Sequence, residues 1–225
     1  INGTVQIGMV ALDMLFSNKL INSSSTSLAI GLSLTIVGIP LWITHWRIIS
    51  RYHREIKVES ISIVRQGYIY LVLGLAAGIG ITAAIETFEW IFNSWEPFSA
   101  RPWISLIVWG GVWAYHWKIE NANYSTMFEI SALRNVYVYL VSAATLIMLA
   151  IGLGQIAHLI FQQAYLSLTG TTILTGDELW SGSAKTAVTL ALVGGPIWAI
   201  HWIRFAPKDV GSTVRHIYLF ALVFL

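Results

Sequence analysis

The sequence predicts an all-α transmembrane protein, a helical bundle of tandem two-helix repeats with about six to seven membrane segments. Three observations carry this. Hydrophobic residues make up 56% of the 225 residues and charged residues only 11%, against about 25% charged in an ordinary soluble domain; the mean hydropathy is +0.68. The apolar residues gather in runs, most of them near the ~20 residues that cross a bilayer. Several of those runs close on one repeated Trp/His motif. This composition argues against a soluble enzyme or a nucleic-acid binder, and a net charge of +2 is too small to call for a polyanion. With no Cys, a disulfide framework, a thiolate metal site and a Cys nucleophile are excluded.

The apolar runs fall near 1–16, 26–46, 66–94, 102–117, 134–163, 183–203 and 214–225. The first and last are partial, so the chain reads as a fragment of a longer one: 12 residues at 1.5 Å rise cannot span a membrane. Trp42-Ile-Thr-His45-Trp46, Trp113-Ala-Tyr-His116-Trp117 and Trp198-Ala-Ile-His201-Trp202 each end a run, with the histidines 71 and 85 residues apart (45 to 116, then 116 to 201). Upstream, Val37-Gly-Ile-Pro-Leu-Trp42 aligns with Val193-Gly-Gly-Pro-Ile-Trp198, and Val108-Trp-Gly-Gly-Val-Trp113 is a looser copy. The intervening runs repeat as well. Arg65-Gln-Gly-Tyr-Ile-Tyr-Leu-Val72 matches Arg134-Asn-Val-Tyr-Val-Tyr-Leu-Val141, and Arg215-His-Ile-Tyr-Leu-Phe220 begins another copy. The repeats run over about 1–64, 65–133 and 134–213, with a fourth starting at 214–225, all in a single domain. The wider second spacing comes from a Thr/Gly/Ser-rich insertion over about 166–182.

The stretches leaving the W-x-x-H-W ends hold Arg47, Arg51, Arg54, Lys57, Arg65, Lys118, Arg134, Arg204, Lys208 and Arg215. The opposite ends hold Lys19, Arg101 and Lys185, with Glu96, Asp177 and Glu178. The positive-inside rule therefore places the motif ends in the cytoplasm. Trp90, Trp95, Trp103 and Trp180 form the outer aromatic belt and the motif tryptophans the inner one. Asn22-Ser-Ser24 fits a glycosylation sequon, a pattern common by chance. The basic loop over 47–65 reads as a topology signal that also attracts anionic headgroups.

The repeated R-x-x-Y-x-Y/F-L starts, on Arg65, Tyr68 and Tyr70 and on Arg134, Tyr137 and Tyr139, together with the three W-x-x-H-W ends, resemble a bacterial multi-pass membrane family, domain of unknown function 5671. The resemblance covers nearly the whole chain. It implies a helical bundle in a bacterial cytoplasmic membrane and no particular activity. The second motif departs from the pattern, with Gly111 where the others have Pro40 and Pro196.

Two sets of residues are candidates for chemistry. In a helix, W-x-x-H-W places the His and the second Trp on the face of the first Trp. His45, His116 and His201 are thus candidate axial ligands of haem iron or chlorophyll magnesium, with Trp walls. The preferred reading makes them interfacial anchors, because all three sit in a last turn beside the headgroups, where the helix dipole and Trp anchoring suffice. The other set occupies one aligned position: Asp13, Glu89 and His158. Ionisable groups in a membrane segment point to an ion or proton relay, but all three lie shallow. Pro40 and Pro196 kink their helices, and Gly74-x-x-x-Gly78 and Gly194-Gly195 read as close helix contacts. No Walker loop, H-E-x-x-H, G-x-S-x-G or dinucleotide fingerprint occurs.

The expectation is therefore a non-catalytic scaffold or accessory subunit of a bacterial membrane complex. It packs against lipid and against other integral membrane subunits or itself, with no nucleic-acid partner and no catalytic or metal residues. The alternatives are a haem- or chlorophyll-binding subunit of an electron-transfer or light-harvesting assembly, and a small ion or solute transporter.

Overall fold

Every apolar run in the described residues is helical. The computed structural model of the chain describes residues 1–16, 24–55, 63–93, 97–122, 128–170, 182–209 and 211–223. The helices are α1 (Asn2–Phe16), α2 (Ser24–Glu55), α3 (Ile63–Phe92), α4 (Ala100–Ala122), α5 (Phe128–Thr169), α6 (Gly182–Ala199) and α7 (Thr213–Leu222). A π-helical turn over Ile200–Phe205 and a 3₁₀ turn over Ala206–Lys208 continue α6. Among the described residues there is no strand. Asn22, Trp95, Glu96, Asp177, Glu178 and Trp180 lie outside them.

Among the described residues four stretches are long and apolar enough to cross a membrane: Ser25–Ile48, Ile63–Phe92, Ser131–Thr169 and Gly182–Lys208. In a bilayer only helices that satisfy their own backbone are tolerated in this form. Several hydroxyls inside these stretches bond to their own turns, whereas those of Thr35, Ser142 and Thr189 are buried without a hydrogen-bond partner among the described residues. Thr82 donates to the Ile79 carbonyl (2.9 Å), Thr87 to Ala83 (2.7 Å) and Thr145 to Val141 (2.7 Å), the back-bonding that removes a polar group from its surroundings. α4, expected as a segment over 102–117, is a 23-residue helix, but it falls outside the four because its Trp, Gly and Tyr residues and the charged Arg101, Lys118 and Glu120 at its ends dilute its hydropathy. α5 extends past the expected 134–163 and stops at Gly170, whose φ of +66° is the left-handed turn that ends helices at glycine.

The chain divides into two compact units: Ile1–Trp90 with Ser94–Leu133, and Ile91–Asn93 with Arg134–Leu225. In the first, α1 packs on α2 and α4. Glycines set the approach. A Cβ on Gly3 would sit 2.8 Å from the Gly31 carbonyl oxygen, and one on Gly8 would sit 2.9 Å from Ile104. Ile69 and Leu73 of α3 are fully buried. In the second unit α5 meets α6 just as closely: a Cβ on Gly152 would lie 2.7 Å from the Ala187 carbonyl, and one on Gly194 would lie 2.7 Å from the Thr145 carbonyl. Small residues let backbones approach this way where no hydrophobic drive exists between helices.

The expected contact at Gly74-x-x-x-Gly78 is not found, because a Cβ at either glycine meets nothing within 4 Å. Spacing alone put both on one face; that face is not the packed one. Outward, the helices expose large apolar side chains, including Ile36, Leu140, Phe161 and Leu168, a surface that suits hydrocarbon and not water.

Candidate functional site

In both units the Tyr-x-Tyr start of one helix meets the W-x-x-H-W end of the next. In the first unit the Tyr68 and His116 rings are 6.1 Å apart, edge to face, and the Tyr70 hydroxyl donates to Glu120 Oε1 at 2.8 Å. In the second, the Tyr137 and His201 rings are 5.8 Å apart, and the Tyr139 hydroxyl donates to Asp209 Oδ2 at 3.0 Å. Each first Tyr meets a motif His, and each second Tyr meets the acid that follows the motif. Neither acid was foreseen from the sequence. Glu120 stands three residues after Trp117 and Asp209 seven after Trp202, so no gapless alignment pairs them. Each is nonetheless the first acidic residue after its motif, and that signal would have found them.

The histidines share one arrangement. His116 Nδ1 lies 2.8 Å from the Val112 carbonyl, and His201 Nδ1 lies 2.9 Å from Ile197. A carbonyl only accepts, so Nδ1 carries the proton and Nε2 of the neutral ring is an acceptor. In the second unit the Tyr137 hydroxyl donates to His201 Nε2 across 3.4 Å. In the first, His116 Nε2 is buried without a hydrogen-bond partner among the described residues. An unsatisfied buried acceptor costs about 1–3 kcal/mol. Tyr68 stays 46% exposed where Tyr137 is 5% exposed, so the two pairs differ in closure. His45 is exposed on α2; α1, the helix packed on α2, carries no Tyr.

The motif tryptophans stack along their own helices. Trp42 and Trp46 are 5.9 Å apart at 10°, and Trp113 and Trp117 are 5.5 Å apart at 6°, the i,i+4 neighbour geometry of a helix. In the third motif the π turn breaks that register. There the ladder widens, with Ala206 N–H bonding to the His201 carbonyl five residues back. Trp202 turns to Tyr218 of α7 at 5.0 Å, and Trp198 Nε1 donates to the Tyr218 hydroxyl at 3.2 Å. Asp209 also accepts from Ser212 N–H (3.2 Å) and closely from the Ser212 hydroxyl, while Arg215 Nη1 donates to the Asp209 carbonyl at 2.6 Å. Ser212 caps α7 by accepting from Arg215 N–H.

The three residues of the aligned ionisable position have different surroundings. Asp13 accepts from Ala100 N–H at 3.3 Å and so caps α4 from α1, where the positive helix end favours a carboxylate. Glu89 is half-buried and makes no hydrogen bond among the described residues, and Glu86 and His158 are exposed. Nearby, Trp90 contacts Phe98 (5.6 Å) and Trp103 (5.9 Å), and Phe16 contacts Phe98 (5.4 Å). Among the described residues no group of three His, Asp or Glu side chains has metal-binding geometry.

A cavity of about 680 Å³ opens in the first unit between the start of α1, α2 and α4, walled by Leu34, Ile39, Trp42, Val108, Val112 and His116. No curated protein and no solved structure is similar enough to match the chain. A family match covers residues 1–96 and 135–225 and leaves out the stretch that holds α4. The chain belongs to the family described as Domain of unknown function (DUF5671).

Proposed function

We propose that the protein is a non-catalytic integral membrane subunit, built from tandem two-helix repeats, that acts as a scaffold or accessory component by packing laterally against other membrane proteins or itself. One observation carries the reading: the signature residues of the chain are engaged with one another. Tyr137 occupies His201 Nε2, Tyr70 and Tyr139 hold Glu120 and Asp209, and the Trp pairs stack on themselves or on Tyr218. Such contacts clamp consecutive helices within each unit. The four long apolar stretches and their lipid-suited surface support a place in the membrane. The basic residues that follow the W-x-x-H-W motifs support a bacterial cytoplasmic membrane with those ends inside.

A tetrapyrrole at His201 would have to displace the Tyr137 hydroxyl. A relay through Asp13, Glu89 and His158 would need a path that joins a helix cap, a half-buried carboxylate and an exposed imidazole. The test is cross-linking in native membranes followed by purification in mild detergent. Reproducible integral membrane partners, or a defined homo-oligomer, support the reading. A lone monomer in every membrane tested overturns it, as does a visible spectrum with a Soret band that disappears in His201→Ala.

A further inference from the structure

The outward faces of α3 and α5 each carry ionisable groups in an otherwise apolar surface. After Arg65, α3 has no acidic or basic side chain except Glu86 and Glu89; after Arg134, α5 has only His158. Glu86 and His158 are exposed, and Glu89 is half-buried. Exposed apolar side chains flank them along each helix, Leu75 and Ile91 on α3, Ile151 and Phe161 on α5. α5 runs on for 11 residues past His158 (158 to 169), so the imidazole does not sit at a helix end. An ionisable group in an apolar membrane face calls for a partner.

The two faces match in register. Their repeated starts align Arg65 with Arg134, an offset of 69 (65 to 134). At that offset Leu75, Gly78 and Thr82 align with Ala144, Ile147 and Ile151, and all six are exposed. Steps of three and four residues mark one helix face, the seam on which membrane helices pack at a shallow left-handed crossing. With α3 of one copy parallel to α5 of a second and the starts level, Leu75 meets Ala144 and Gly78 meets Ile147, large against small. A Cβ on Gly78 would meet nothing within 4 Å, which leaves room for the Ile147 side chain. At the same offset His158 comes level with Glu89, and Glu86 lies three residues away, about 5 Å at the helical rise. Like pairings lack this fit. α3 on α3 sets carboxylates against carboxylates and Gly78 against Gly78; α5 on α5 crowds Ile147 against Ile147.

We propose that the protein self-associates by laying α3 of one copy parallel on α5 of a second copy, with Glu86 and Glu89 facing His158. The inference rests on the reading of the chain as a laterally packing subunit and names a second copy as its partner. An imidazole N–H donates to a carboxylate oxygen in a charge-assisted bond, stronger than a neutral one. Every copy carries both faces, so the contact needs no other protein.

The experiment co-expresses two full-length copies with different tags. The chain has no Cys, so Thr82→Cys in the first copy and Ile151→Cys in the second give each a single thiol, at level positions of the two faces. Mild oxidation in native membranes is expected to join the two tags about tenfold more than it joins Thr82→Cys to itself or Ile151→Cys to itself, because a disulfide forms only between close Cα atoms. His158→Glu in the second copy sets like charges together and should lower the link about fivefold. Glu86→Lys in the first copy should then bring it back, which a merely misfolded second copy would not allow. Equal links in all three combinations overturn the proposal. So does a link that His158→Glu leaves unchanged or that Glu86→Lys fails to bring back. Other integral membrane partners captured by the unaltered chain, with no link between α3 and α5, overturn this contact and leave the scaffold reading standing; a chain with no partner of any kind overturns both.

Discussion

Tyr139 and Asp209 show what a repeated pattern of side chains is for. The carboxylate of Asp209, 8% exposed, gathers the Tyr139 hydroxyl and the Ser212 N–H and hydroxyl, tying α5 to the start of α7. Asp209→Ala strips that group from three donors and should lower stability by about 1–3 kcal/mol, read as a fall in the thermal midpoint of tryptophan fluorescence in detergent. Tyr70→Phe removes the 2.8 Å bond to Glu120 and leaves a buried carboxylate oxygen short of a donor, so a loss of about the same size is expected; no shift in the midpoint would show that Glu120 is held by other contacts. At this scale the sequence was half legible. The tyrosines and histidines repeat at fixed offsets and could be read as equivalent before any coordinates. Their chemistry could not, because the acids that complete each set stand at unequal distances from the motif, and because burial separates His45, which is exposed, from His116 and His201, 5% and 4% exposed. A five-residue motif carries no record of which neighbour covers it.

The helices themselves were the most legible level. Hydrophobic runs near bilayer length leave the backbone little choice but to bond to itself, so every expected segment in the described residues is helical. Contacts between helices were harder to read, since glycine spacing marks a possible face and not a used one: Gly74 and Gly78 have open surroundings, whereas Gly194, expected from the Gly194-Gly195 pair, and Gly152, which no motif marked, stand against backbone. Gly152→Leu should therefore be far more damaging than Gly74→Leu. The first forces its Cβ to within 2.7 Å of the Ala187 carbonyl and should cost about 1–3 kcal/mol or more as overpacking; the second should be close to neutral. Thermal midpoints of the two variants, measured side by side, decide it, and equal values would mean that α5 and α6 do not meet as described. The π turn at Ile200–Phe205 belongs to this scale as well. Pro40 and Pro196 were expected to act alike, yet α2 runs on as an α-helix past Pro40 whereas the π turn follows Pro196, where the Trp stacking that the first two motifs keep is lost.

For the whole molecule, the open question is which way the chain crosses the membrane, and its composition makes the answer unusually accessible. The chain has no Cys, so any single introduced thiol is the only one. α6 and its continuation run from Gly182 to Lys208 as one membrane-length stretch, with exposed residues at both ends: Gly182 at one, Arg204 at the other. Arg204 belongs to the basic set that follows the motifs, and moving such residues across a bilayer is what the positive-inside rule disfavours. Gly182→Cys and Arg204→Cys should therefore label from opposite sides. In intact cells, a membrane-impermeant maleimide is expected to modify the thiol at 182 and not the one at 204; after the membrane is made permeable, both should react. The opposite pattern would invert the orientation and move the Tyr139–Asp209 clamp to the outer face. Labelling of both sites in intact cells would mean that this stretch does not span, and the reading of the protein as a membrane-embedded subunit would fall with it. Because the two thiols sit on one helical stretch, a single outcome fixes the direction of α6 and the side on which its own W-x-x-H-W end lies.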